Sequence, residues 1–235
     1  MTIRTFITFA FILAIHQLSF AQKPLTDKQK GIVVIASFTA KGDLPKLESA
    51  FNEALNAGMS INEAKEELIH LSAYCGFPRS LNAINTLAKV LEDRKTKGIT
   101  DPVGKTPDKP ADTNKFQNGK AVLESLTGQP EKYPKTTGYA AFVPAIDSLL
   151  KEHLFNDIFM RGVLSNEERE VATISALASL GGVESQLRGH LGICLHLGFT
   201  AKQLEEVFLI VGSRVGKKEG DAGRKVLLEV VGLRK

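Results

Sequence analysis

A pattern of helix, glycine stop and helix occurs twice in this chain, and the two occurrences keep a fixed separation. Gly42, Leu47, Leu55, Gly58 and Glu66 recur as Gly182, Leu187, Leu195, Gly198 and Glu206, each pair 140 residues apart (198 − 58 = 140) with no gap between them. From Val183, the apolar residues Leu187, Leu191, Cys194 and Leu195 fall at helical spacing, with His190 on the border of the stripe. Gly198 stops that helix, because glycine takes the left-handed conformation of a helix C-terminus without steric cost. Thr200 with Gln203 is a capping box that starts the next helix at once, and Ser60 with Glu63 does the same in the first occurrence. A lone hairpin of this kind leaves its apolar stripe in water, whereas two copies can cover each other as the halves of a homodimer would. The repeat therefore predicts an all-α chain in which two diverged units form an intrachain pseudo-dimer.

The remaining stretches agree with that class. Thr26 with Gln29 and Ser165 with Glu168 are two further capping boxes, each opening an apolar helix. Pro78, just after Gly76, suits the first turn of a following helix, where its missing N–H would have no partner. No segment of strand length alternates polar with apolar. Between 95 and 118 the composition turns to Lys, Thr, Asp, Gly and Pro, with Pro102, Pro107 and Pro110, which reads as a linker or a surface-draped crossover. Helices are expected beyond it over 119–126 and 140–154. The organisation is a first unit at 22–98, a linker at 99–118 and a second unit at 119–235.

Residues 1–21 read as a leader. Arg4 precedes an apolar run over 6–15, and Ser19-Phe20-Ala21 places small residues at a cleavage position, making Gln22 the expected mature N-terminus and the periplasm or the exterior the expected location. No later stretch approaches the ~20 apolar residues of a membrane span, so no stable anchor is expected. The formal charge of +4 is spread among glutamates, and the pairs Lys217-Lys218 and Arg224-Lys225 lack the interleaved aromatics of a nucleic-acid surface. A small anionic molecule is the partner most compatible with that balance.

Chemistry-bearing residues cluster on two helices. Glu66, His70 and Tyr74 follow one another at i, i+4 and i+8 beside the apolar stripe that includes Cys75. The second unit places His190 one helical turn before Cys194. The copies are unequal: Ala50 stands where the second has His190, and Arg214 stands where the first has Tyr74. One composite site, with His190 from the second unit and Glu66, His70 and Tyr74 from the first, is the arrangement this division allows.

The stretches LRGHLGICLHLGFTAKQLEEV, EELIHLSAYCGFPRSLNAI and EHLFNDIFMRGVL resemble carboxymuconolactone decarboxylase-like proteins and together cover most of the chain outside the proline-rich part. The resemblance implies the all-helical fold of the alkyl hydroperoxidase D-like superfamily, whose subunits pair and assemble further, so a homo-oligomer is expected. Redox-active relatives carry Cys-x-x-Cys-x-x-x-His. His190 and Gly198 match the spacing from that histidine to the helix-ending glycine, but the two cysteine positions fall on Val183 and Gln186. The superfamily's upstream glutamate is matched by Glu170 to within one residue.

Three functions remain open on these residues. A cofactor-independent decarboxylase-type enzyme would act on a small anionic lactone or keto acid, with His190 as acid and Arg188 or Arg161 holding the anion. A thiol-dependent peroxidase with peroxiredoxin-type activity would use Cys194, activated by His190, with Cys75 resolving. A duplicate that binds a ligand without catalysis needs neither. No cofactor is implied, and no ligand pair has the spacing of a known metal site.

Overall fold

The computed structural model describes residues 24–233, and the leader read at 1–21 lies outside them. The described residues contain helices and turns but no strand. The first copy is α1 (Asp27–Lys41), α2 (Leu44–Asn56), α3 (Ile61–Cys75) and α4 (Phe77–Thr96). Next come α5 (Lys115–Thr127), α6 (Gly138–Phe142), α7 (Pro144–Leu149), a π-helical segment (Leu150–Ile158) and a 3-10 turn (Phe159–Arg161). The second copy then repeats the first as α8 (Asn166–Leu180), α9 (Glu184–His196), α10 (Ala201–Arg214) and α11 (Lys217–Gly232).

Sequence and local structure agree closely at the helix starts. Thr26, Ser60, Ser165 and Thr200 each accept a hydrogen bond from the backbone N–H three residues on, and Gln29, Glu63, Glu168 and Gln203 accept one from the cap residue in return. The caps also correct the register of the repeat. Thr26 and Ser165 are 139 apart (165 − 26 = 139), whereas Ser60 and Thr200 are 140 apart. The extra residue sits in the turn Gly181-Gly182-Val183, which replaces Gly42-Asp43. Gly42 therefore corresponds to Gly181, each the residue that ends the first helix of its copy at positive φ, 71° and 69°.

α1 and α8 carry unbroken buried runs, Ile32–Ala40 and Arg169–Ser179. A helix covered on every side must lie at the centre, and these two pack on each other. Around them the copies exchange contacts, with α3 of the first copy lying on α8 and α10 of the second on α1. The result is the pseudo-dimer expected from the repeat. Phe38, Phe51, Leu68, Leu71, Leu191, Val207 and Phe208 fill its core, each 2% exposed or less. Burial of each stabilises the pairing by roughly 1.5–3 kcal/mol. Lys28 adds a polar tie: its Nζ lies 2.7 Å from Glu63 and 2.6 Å from Glu168, the capping-box glutamates of the two copies.

The proline-rich stretch is a draped crossover. Its Pro102 and Val103 carbonyls accept from the N–H groups of Ile61 and Asn62 at 2.9 and 3.0 Å, and Asp101 is held by the buried Arg94 at 2.7 and 2.8 Å. α5 already begins at Lys115, inside the stretch read as linker. The helix expected over 140–154 is broken at Val143-Pro144, because proline can open a helix but cannot continue one, and it runs on as π-helix. α5 packs against this π segment so closely that a Cβ on Gly119 would lie 1.8 Å from the Lys151 carbonyl oxygen, so only glycine fits there. Leu126, Leu154, Phe155, Ile158 and Phe159 form a small second core with Ile193 of α9. This unit caps α3 and α9. No helix among the described residues is long and apolar enough to cross a membrane.

Candidate active site

The site lies beneath that cap, where α3 of one copy meets α8 and α9 of the other. The turn between α8 and α9 folds His190 back onto Glu170. His190 Nδ1 donates to Glu170 Oε2 at 2.8 Å. Glu170 is fully buried and the His190 side chain is 16% exposed, so the carboxylate is the inner member and the imidazole the outer one. Binding Nδ1–H in this way leaves Nε2 as the nitrogen that can take or give a proton, and it has no hydrogen-bond partner among the described residues.

Tyr74 joins the copies. Its ring centroid lies 4.9 Å from that of His70 on its own helix and 5.4 Å from that of His190. Its hydroxyl is buried beside the Thr173 side chain. Burial first, and the Glu170 charge second, push the phenol far above its ordinary value of 10.0, so Tyr74 is a permanent O–H donor.

His70 has a different part. Thr173 Oγ1 donates to the Arg169 carbonyl at 2.9 Å and must therefore accept from His70 Nε2–H at 2.8 Å. Burial, then the charges of Arg169 and His190, hold His70 well below its usual range, and the ring is neutral. Behind it, Arg161 donates to both oxygens of Glu66 at 2.7 and 2.9 Å, and Arg169 Nη2 lies 3.9 Å from the same carboxylate. The Arg169 guanidinium stands 5.6 Å over the Phe159 ring, and burial draws its pKa down to about 10. Glu66, Arg161 and His70 thus brace the site from behind.

In front of His190 and Tyr74 lies a pocket of about 450 Å³, with Leu123, Leu154, Phe155 and Leu177 on its apolar wall and Lys135, Asp147 and Lys151 among its polar residues. Lys151 is 1% exposed, its Nζ lying 2.5 Å from Asp147 Oδ1 and 3.2 Å from Glu131 Oε1. Asp147 Oδ2 is buried and unpartnered among the described residues.

The structure brings together His190, Glu170, Tyr74, His70 and Glu66, and it places the two arginines expected to hold an anion outside the pocket. Arg188 pairs with Glu229 at 2.5 Å on the exposed surface, and Arg161 is committed to Glu66; neither lines the pocket. The cations that do, Lys135 and Lys151, lie between α5 and α8, and both are paired: Lys135 Nζ lies 2.6 Å from Glu131 Oε1, the carboxylate oxygen that Lys151 also meets. The only sequence signal for Lys151 is its i, i+4 relation to Asp147.

The cysteines are poorly placed for thiolate chemistry. Both are free thiols. Burial first and then Glu170 push Cys194 well above its usual range, and burial raises Cys75 to about 11. The imidazole expected to activate Cys194 is instead hydrogen-bonded to Glu170.

No curated protein matches the chain significantly. The sequence model of the carboxymuconolactone decarboxylase family matches it twice, over residues 8–89 and 144–228, with the second match taking in α7 to α11 and the first reaching from upstream of α1 into α4. With two matches in tandem and the two helical copies packed as a pseudo-dimer, the chain belongs to the carboxymuconolactone decarboxylase family.

Proposed function

We propose that the chain is a cofactor-independent acid–base enzyme that decarboxylates a small anionic lactone or keto acid. The observation that carries this is the His190–Glu170 pair on the wall of an amphipathic pocket. In the proposed step the bond to the departing carboxylate breaks and CO₂ leaves. The electron pair passes into an enolate, and its carbon takes a proton from Nε2 of the His190 imidazolium. Solvent returns that proton to Nε2, while Nδ1–H stays bound to Glu170 and holds the ring in place. The Tyr74 hydroxyl donates to the enolate oxygen, and the substrate's carboxylate takes the place of Glu131 on Lys135, whose Nζ lies 2.6 Å from Glu131 Oε1 on a side chain 31% exposed. An apolar wall facing paired charges suits a molecule with a compact hydrocarbon body and one ionised end. The raised pKa values of both thiols count against a thiol peroxidase. Export through the leader at 1–21 and assembly into homo-oligomers are part of the same proposal; a mature chain starting at Met1 would remove the first and a monomeric mass in solution the second.

The test is CO₂ release from a panel of β-keto acids and unsaturated lactones. His190→Gln is expected to lower turnover about 10²-fold or more, the scale for losing a general acid. Changing Cys75→Ser and Cys194→Ala together is expected to leave it nearly intact. Full activity in His190→Gln would refute the acid–base role, and loss of activity with the cysteines alone would restore the thiol one.

A further inference from the structure

A second pocket of about 410 Å³ lies on the other side of the pseudo-dimer. The two-fold relation carries Glu170 onto Gly31 (170 − 139 = 31), His190 onto Ala50 (190 − 140 = 50) and Tyr74 onto Arg214 (74 + 140 = 214), and all three line this pocket. It is the first copy's version of the site with the acid–base pair removed. Gly31 and Ala50 put no acid or base there, and the wall is closely packed at Gly31, where a Cβ would come 3.1 Å from the Ala54 Cβ. The floor is completed by Val34, Ala54 and Ile210.

The rim carries charge in balanced form. Arg214 Nη2 donates to Glu53 Oε1 and Oε2 at 3.0 and 2.9 Å, and Lys30 Nζ lies 3.3 Å from Asp27 Oδ1. The Lys30, Arg214, Glu53 and Asp27 side chains are 41%, 38%, 56% and 82% exposed, so both pairs are loose surface pairs that a ligand can displace at small cost. The rim thus sets one guanidinium and one carboxylate side by side above an apolar floor. A zwitterion with its two charges on adjacent groups is the complement of that pair and meets both members at once. We propose that this second pocket binds a small aliphatic α-amino acid, its carboxylate on Arg214, its ammonium on Glu53 and its side chain over Val34, Ala50, Ala54 and Ile210.

The probe is L-leucine, titrated against the purified chain by two-dimensional NMR. The controls are 4-methylpentanoate, which lacks the ammonium, and 3-methylbutylamine, which lacks the carboxylate. Leucine is expected to shift resonances of α1, α2 and α10, with each control binding about tenfold more weakly or worse, the scale for losing one charged hydrogen bond. Arg214→Gln and Glu53→Gln, changes at exposed side chains checked for an unaltered melting curve, are expected to weaken leucine by a similar factor. His190→Gln is expected to leave leucine binding unchanged, which separates this pocket from the first whatever the first one does. Absence of leucine binding would overturn the proposal. So would equal binding of 4-methylpentanoate, undiminished binding in Arg214→Gln, or loss of binding in His190→Gln.

Discussion

Arg161→Met tests whether Glu66 is held as a buried carboxylate. Glu66 is 1% exposed and accepts both of its strong hydrogen bonds from Arg161. Removing one partner of a buried ion pair strands the other charge, at about 3–5 kcal/mol. Two features place the effect at the lower end. The Arg161 side chain is 27% exposed, so solvent screens part of the interaction, and Arg169 remains 3.9 Å from the carboxylate as a second cation. An expected loss of about 3 kcal/mol corresponds to a melting point lower by about 6–12 °C in a chain of this size. Adding Glu66→Gln removes the stranded charge and is expected to recover most of that loss, to within about 1 kcal/mol of the parent. Thermal melts of the parent, both single variants and the double variant at pH 7 form the cycle. A fall of less than ~2 °C in Arg161→Met, or a double variant that falls as far as the sum of the singles, would refute the assignment.

Glu67, fully buried and in no ion pair among the described residues, is expected to make stability depend on pH. Burial first and then Glu168 raise its pKa well above 4.5, so the folded chain keeps a proton that the unfolded chain releases. Its contribution is full below pH 4.5 and falls as pH rises towards the folded-state value, by at most about 1.4 kcal/mol per pH unit. Glu67→Gln should flatten that decline and melt higher than the parent at pH 8; an unchanged slope would show that Glu67 is not its source. The thiols should react slowly with iodoacetamide at pH 6 in the folded chain, because both are held as neutral S–H groups. Rapid labelling of Cys194 there would contradict the environment described for it.

What the sequence revealed follows the range of each interaction. Helix starts are local, and all four capping boxes were legible because the partners sit three residues apart. The pseudo-dimer was legible because repetition turns a long-range contact into a periodic pattern. The grouping of Glu66, His70 and Tyr74 with His190 followed from helical spacing on one side and unequal copies on the other. The roles of the arginines were not legible, since Arg161 and Arg188 differ only in which carboxylate lies nearby, Glu66 in one case and Glu229 in the other. The π segment was hidden for a related reason. Its apolar spacing also suits an α-helix, and the close approach of Gly119 to the Lys151 carbonyl is a contact across 32 residues of chain (151 − 119 = 32) that no local pattern announces.

Fusing two copies in one chain changes what the site can become. In a homodimer of identical subunits, a substitution that empties one site empties both, because each residue appears twice under the symmetry. Here Glu170 and His190 remain in one copy while Gly31 and Ala50 occupy the matching places in the other, and Tyr74 faces His190 while its counterpart Arg214 faces Glu53. The cap follows the same asymmetry. The chain between α4 and α8 supplies α5, ahead of the second family match, and the π segment at its start, which cover α3 and α9 on the side where the acid–base pair survives. Lys135 and Lys151 reach the pocket from that cap, Lys135 from outside both family matches and Lys151 from the start of the second. The residue proposed to hold the substrate's charge therefore comes from a part of the chain that the repeat does not constrain, whereas the residues proposed to move the proton come from its most constrained part. That division lets the pocket wall change independently of the His190–Glu170 geometry.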